Sequence, residues 1–421
     1  MNHRSLLAAF SLLVLLSAVA LAEVVPGSAE DFFTRGLAAL EAGENQTAIE
    51  EFTKAIDLKS DYSDAYFNRG LAYLRNGDYD FAISDFSWLI TRTPEDPRFL
   101  FWRATAYYYL KNYKSALVDV DSALDNDKNH ALAWGLKGDI SFDKGDFQAA
   151  VASYDRALAL MGFDLDYSIK RIRALLYSGS YDEAVRSCNV VLKNMPEYAD
   201  AYYYRGDANK GLGEFAKAEE DYDQGLLHDV WKENPEVLFR RGLCRLLDCR
   251  FDAAIADFRT AVSTTSKDKP RYLLHLILAL FYLDRKAEIL QLVRDAPAVL
   301  KPIVGDTAFD ELWAPILGYC VADIEETTLV ELITKKIEDR VFCGYAWYAI
   351  ATRNLAYGRS ERALDAFHNV TDMGERQAPE YLQAKIFYSL LNNGKISCPP
   401  TPKAQTEPGK EGSEKDESQT K

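Results

Sequence analysis

Alanine recurs at Ala48, Ala82, Ala116, Ala150, Ala184 and Ala218, each 34 residues after the last, and Ala254 follows after 36. Three more rows keep the same register. A small-residue row runs through Gly36, Gly70, Ala104, Gly138, Ile172, Gly206 and Gly242. A turn row runs through Gly43, Gly77, Lys111, Gly145, Gly179, Gly213 and Cys249, and a bulky row through Phe52, Phe86, Val120, Tyr154, Cys188, Tyr222 and Phe258. All four rows slip by two residues near Asp229 to Lys232, which marks an insertion in one inter-repeat loop. A fixed period of this length excludes a single compact core and demands a stack of similar units.

The second unit shows what each one is. Asp64 to Arg75 places Tyr66, Leu71, Tyr73 and Leu74 at helical spacing. Asn76-Gly77-Asp78 breaks that helix, because glycine readily takes the left-handed backbone of a helix stop. Tyr79 to Ile90 gives a second apolar face from Phe81, Ala82, Phe86, Leu89 and Ile90, and Pro94 ends the unit. The small residues predict close approach of the two helices, with the bulky row filling the space between pairs. One pair alone leaves half its apolar surface wet, so stacking is required.

These residues resemble the tetratricopeptide repeat (TPR) family. Its pattern is a bulky residue, glycine with an aromatic three on, alanine, an aromatic four on, and a closing proline. Tyr66, Gly70, Tyr73, Ala82, Phe86 and Pro94 follow it in order, as do Phe32, Gly36, Ala48, Phe52 and Ala55, and Tyr202, Gly206, Ala218 and Tyr222. The resemblance covers seven units within residues 29–262 and implies an all-α fold, a right-handed superhelical solenoid of helix–turn–helix repeats. The fifth unit, with Ile172 and Cys188 in key slots, departs most and predicts a looser helix pair.

The rest of the chain divides around this array. His3 and Arg4, the apolar run Leu6 to Val19 and Ala20-Leu21-Ala22 read as a cleaved secretory signal over residues 1–22. Its run is shorter than the ~20 residues of a membrane span. An exported protein is therefore expected, in the periplasm or secreted, with no transmembrane segment after cleavage. Tyr272 to Leu283 is strongly apolar but too short to span, and reads as a buried helix. Residues 263–397 read as degenerate repeats and irregular packing helices, with pairs at Tyr272–Arg294 and Trp347–Val370, a closing helix at Tyr381–Leu391, and interruptions at Pro297, Pro302 and Pro315. Residues 398–421 are rich in Pro, Lys, Glu, Ser and Gln, and read as a disordered polar tail. Asn45-Gln46-Thr47 and Asn369-Val370-Thr371 accept glycans only in a eukaryotic secretory pathway.

Enzyme chemistry leaves no mark. The chain has no Gly-rich phosphate loop, Gly-x-Ser-x-Gly, His-Glu-x-x-His or Cys-x-x-Cys, and no cofactor, metal or catalytic residue is expected. His130, His228, His275 and His368 are isolated, and Cys188 and Cys244 fall on helix faces as packing residues. Pairing among Cys188, Cys244, Cys249, Cys320, Cys343 and Cys398 stays open, Cys320 with Cys343 being one possibility in an oxidising compartment. A formal charge of −15 argues against nucleic acid or anionic lipid as the main partner.

Two further ladders bear on binding. Arg35, Arg69, Arg103, Lys137, Arg171, Arg205 and Arg241 keep the register, as do Glu51, Asp85, Asp119, Asp221 and Asp257. The basic row is either an anion-binding strip or the partner of the acidic row within each unit; its packing neighbours favour pairing. The other ladder is Phe33, Phe67, Phe101, Gly135, Ile169, Tyr203 and Phe239, with Leu37, Leu71, Thr105, Asp139, Arg173, Asp207 and Leu243 one turn on. The family resemblance places these residues on a concave groove. Since Tyr66 and Tyr73 already supply a core face, Phe33, Leu37, Phe67, Leu71, Phe101, Tyr203, Phe239 and Leu243 are expected to line it as a partner site. Gly135 and Asp139 predict a shallow, acidic middle. Family members that clamp chaperone tails use basic residues and asparagines at slots filled here by Phe33, Leu37, Asn68, Arg98 and Trp102, which disfavours that activity. The reading is an exported scaffold that binds a protein or peptide partner. The alternatives are an envelope enzyme, or accessory subunit of one, with a site in residues 263–397, and an architectural subunit of an envelope assembly. Partner identity and oligomeric state stay open.

Overall fold

The computed structural model describes residues 25–230, 233–264, 268–283, 285–304, 314–320, 326–335, 346–351, 354 and 359–372. The signal segment, the polar tail, Tyr381–Leu391, Cys343 and Cys398 lie outside these residues. Every described element of regular structure is a helix, as the period requires. The chain forms two compact units that meet in sequence at Ser178 and Gly179, within the turn of the fifth repeat.

The first unit holds α1 (Ala29–Glu41), α2 (Asn45–Leu58), α3 (Ser63–Asn76), α4 (Tyr79–Ile90), α5 (Pro97–Tyr109), α6 (Tyr113–Asn126), α7 (Ala131–Lys144), α8 (Phe147–Met161) and α9 (Leu165–Ser178). The second begins with α10 (Tyr181–Asn194), α11 (Ala199–Leu212), α12 (Phe215–His228), α13 (Pro235–Leu247) and α14 (Phe251–Ser263). It continues with α15 (Lys269–Tyr282), α16 (Lys286–Val304), α17 (Ala314–Cys320), α18 (Glu326–Lys335) and α19 (Ser360–Asp372).

The rows of the sequence explain the pairing. Gly77 closes α3 in a left-handed conformation, φ 89°. Lys111 and Cys249 take the same backbone without glycine, at φ 58° and 59°. A Cβ added at Gly70 would sit 2.9 Å from the Phe86 ring, and one at Gly138 2.5 Å from Tyr154. The glycines therefore let a buried ring lie directly on the opposing helix. In the third repeat bulk is exchanged: Ala104 faces the same buried cluster as the smaller Val120. Phe52, Phe86, Tyr222 and Phe258 are wholly buried, each stabilising by about 1.5–3 kcal/mol through loss of wet apolar surface.

Beyond the repeats, α15 and α16 form the expected pair, but the prolines do not interrupt it. Pro297 and Pro302 lie inside α16, and Pro315 in the first turn of α17. A proline in a first turn costs no hydrogen bond, since those N–H groups have no partner in the helix.

Candidate functional site

The basic ladder is structural. Arg69 donates to Asp85 through Nε at 2.9 Å and Nη2 at 2.8 Å. Arg103 grips Asp119 in the same forked way, at 2.7 and 2.8 Å. Arg205 pairs with Asp221 and Arg241 with Asp257, and Arg35 with Glu51. Each arginine also reaches back to the preceding repeat: Arg69 to Thr53 at 3.2 Å, Arg103 to Ser87 at 3.0 Å, Arg205 to Asn189 at 2.7 Å. In the fourth and fifth repeats the acidic slot holds Ser153 and Ser187. There the backward position carries the acid instead, so Lys137 binds Asp121 at 2.8 Å and Arg171 binds Asp155 at 2.5 Å. Burial pushes the Asp85 carboxyl up against the opposing pull of Arg69. These cations are committed to their repeats, which removes the anion-strip alternative.

The aromatic ladder is largely sealed. Phe101 (4% exposed), Leu71 (4%), Tyr203 (6%), Phe239 (0%) and Leu243 (0%) are buried; only Phe33, Leu37 and Phe67 stay half-buried. The expectation of an open row therefore fails at five of these eight positions. The reason is that each ring wedges two repeats. Phe33 lies 5.7 Å from Phe52 of its own unit and 5.0 Å from Tyr62 at the entry to the next. Phe67 meets Phe86 and Phe99 at 6.1 and 5.6 Å, and Phe239 meets Phe258 and Tyr272 at 5.7 and 5.1 Å. Tyr203 covers Gly225 and donates its hydroxyl to Asp229 at 2.7 Å. These rings were not surplus to the core; the core between repeats uses them.

The acidic middle is likewise filled. The Tyr167 ring occupies the space over Gly135. Asp139 is buried and accepts from Tyr154 at 2.8 Å and Lys170 at 3.1 Å, while Lys170 also binds Asp166 at 3.0 Å. The same acid–base–acid set recurs two repeats on. Asp207 accepts from Tyr222 at 2.9 Å, Lys210 at 3.1 Å and Arg240, and Arg240 binds Glu236 at 3.0 Å. Lys210, wholly buried, takes a slot that Leu40, Leu74 and Leu246 fill elsewhere.

The histidines and cysteines also have structural work. His130 caps α7 by accepting from the Ala133 N–H at 3.2 Å. Burial pushes the His275 imidazole down to about 3, and its Nδ1 meets the Arg271 carbonyl at 2.8 Å. Cys244 donates to the Phe215 carbonyl at 3.2 Å, and burial pushes its thiol up to about 12. Among the described residues no cluster of His, Cys, Asp and Glu is placed to hold a metal ion, and no helix is long and apolar enough to cross a membrane.

One aromatic row escaped the sequence reading although it keeps the period: Tyr79, Tyr113, Phe147, Tyr181, Phe215 and Phe251, each opening the second helix of a repeat. Tyr79 stacks on Tyr109 of the next repeat at 5.2 Å, and Phe147 on Tyr177 at 5.2 Å. Tyr113 instead donates its hydroxyl to Asp143 at 3.3 Å. Its neighbours are Tyr108 and Tyr109, so three half-buried phenols border an exposed carboxylate. A separate cavity of about 900 Å³ between inter-repeat loops is lined by Arg92, Pro94, Asp96, Arg98 and His130. Its Arg98 is already tied to Asp96 at 2.7 Å.

Comparison with known proteins places this geometry. A TPR repeat profile matches residues 36–77, and a tetratricopeptide repeat profile matches 70–127, 103–160, 169–227 and 210–271, together more than half of the chain. The TPR repeat-containing thioredoxin TTL4 of Arabidopsis thaliana is 35% identical over 81 residues, 19% of this chain and 12% of that protein. Hsp70-Hsp90 organizing protein 2 of the same plant is 30% identical over 112 residues, 24% of this chain and 19% of that protein. The chain thus spans less than a fifth of the length of these two relatives. Among solved structures, the C-terminal part of a TPR repeat-containing protein from Cytophaga hutchinsonii is 18% identical, with a TM-score of 0.49 over 57% of this chain and 98% of that one.

Proposed function

For a chain that belongs to the tetratricopeptide-repeat family, as this one does, we propose the role of an exported, non-enzymatic scaffold that binds a protein partner through the first helices of its repeats. The observation that carries the reading is the half-buried apolar face left by Phe33, Leu37 and Phe67 in the first two repeats, where the later positions are closed. Similarity to a protein named as an organizer of Hsp70 and Hsp90 supports a protein partner. A chaperone-tail clamp is not favoured. Of the five slots such a clamp uses, only Asn68 and Arg98 suit, and both are engaged: Asn68 donates to the Asp64 carbonyl at 2.8 Å, and Arg98 holds Asp96. The apolar run Leu6–Val19 followed by Ala20-Leu21-Ala22 supports export.

Position-specific crosslinking tests the scaffold. A photo-reactive phenylalanine analogue replacing Leu37 is expected to capture a stoichiometric protein partner in the native cell. The same analogue replacing Val118, 61% exposed on α6, is expected to capture none. Equal capture from both positions refutes the site. Fractionation, with sequencing of the mature N-terminus, tests export; a chain retained in the cytosol with Met1 intact refutes it.

A further inference from the structure

We propose that Tyr108, Tyr109 and Tyr113, with Asp143, form a receptor for a cationic side chain, a lysine or arginine carried by a basic segment of the partner. The proposal rests on the scaffold reading and names the chemistry of what is bound.

The site is built by a turn that other repeats do not share. Tyr108 and Tyr109 end α5, Tyr113 opens α6, and the left-handed Lys111 folds the chain between them. The Tyr108 ring lies 5.7 Å from Tyr109 and 6.1 Å from Tyr113, tilted by 59° and 47°. Tyr79 backs Tyr109 in a stack 5.2 Å deep. The Tyr113 hydroxyl donates to Asp143, which fixes the ring beside an exposed carboxylate. Burial raises the Tyr108 phenol, and the negative charges of Asp139 and Asp143 raise it further. Ring faces are the negative ends of the aromatic quadrupole, so angled rings around a carboxylate attract a positive group.

The rest of the chain shows how it treats such rings. Arg92 lies 3.4 Å over Trp88, Lys137 5.4 Å over Trp134, Lys170 5.2 Å over Tyr167, Arg173 5.2 Å over Phe142 and Arg205 5.3 Å over Tyr202. Among the described residues, no cation of this chain lies over Tyr108, Tyr109 or Tyr113. These are open aromatic faces beside an acid, in a molecule of charge −15 that draws basic partners.

The test uses the full chain and a short fluorescein-labelled peptide of alternating lysine and glycine, read by anisotropy. The expected result is saturable binding that survives trimethylation of the lysines and is lost on their acetylation. Asp143→Asn and Tyr113→Leu should each weaken it about tenfold, while Tyr113→Phe, which keeps the ring, stays near wild type. Glu220→Gln removes an exposed acid from α12 and should change nothing. Binding that Asp143→Asn leaves intact, or that Glu220→Gln weakens as much, overturns the proposal, as does no binding at all. Asp143→Asn is exposed and is not expected to disturb folding, which circular dichroism checks. If the partner still crosslinks from position 37 while the lysine peptide fails, the scaffold stands and this receptor falls. If nothing crosslinks from position 37 but the peptide binds as described, the reverse holds.

Discussion

Lys111 and Cys249 hold a left-handed backbone that costs an L-residue roughly 1–2 kcal/mol and glycine almost nothing. Lys111→Gly and Cys249→Gly are each expected to raise stability by up to about 1 kcal/mol, the gain being trimmed by glycine's freer unfolded chain. The shift of the urea midpoint reads this out. Asp207 works in the other direction. Burial raises its carboxyl, but Arg240 and Lys210 outweigh burial and hold it below the usual range. Its contribution is therefore complete above the unfolded carboxylate value of about 4 and is lost as pH falls through the lower native one. Asp207→Asn leaves two buried cations without their acid, so a loss of about 3–5 kcal/mol is expected in thermal unfolding at neutral pH. Phe101→Ala should cost about 3–5 kcal/mol as well, because that ring is core; an unchanged melting temperature would return it to the surface.

At the scale of the helix pair, the glycine of the first helix and the ring of the second act as one device. Gly138→Ala drives a methyl into the Tyr154 ring and should lower stability by about 1–3 kcal/mol. Ala104 already carries that methyl opposite the smaller Val120, so Ala104→Gly is expected to open a void rather than relieve strain. Most of this was legible in sequence, because each row answers a contact made inside one repeat at a fixed offset. What was not legible lies between repeats. Phe67 looks redundant when its own unit is considered alone, since Tyr66 and Tyr73 fill that unit's core; its second neighbour, Phe99, belongs to the next unit. The same blindness hid the Tyr79 row, whose rings find their partners one repeat further on.

For the whole molecule, the period showed the kind of architecture but not which of its surfaces stays open. Burial of Asp139 depends on Lys170, which lies 31 residues away in another repeat, and no periodicity predicts that side-chain pairing. Excess negative charge is legible from composition alone, and it sets a kinetic expectation. Association with a basic segment should slow as ionic strength rises, while the committed, half-buried ladder pairs keep unfolding midpoints nearly constant. A stopped-flow salt series against thermal melts separates the two.

The two-way grip of the basic ladder makes the copy number of this array a matter of grammar. Excising residues 61–94 would leave Arg103 its own Asp119 and merely trade Ser87 for Thr53 behind it. Excising residues 95–128 would set Lys137 against Ser87 behind and Ser153 ahead, a cation with no counter-charge on either side. Two deletions of equal length should thus have unequal fates, the first tolerated and the second prone to aggregation, and gain or loss of repeats by recombination would be filtered accordingly.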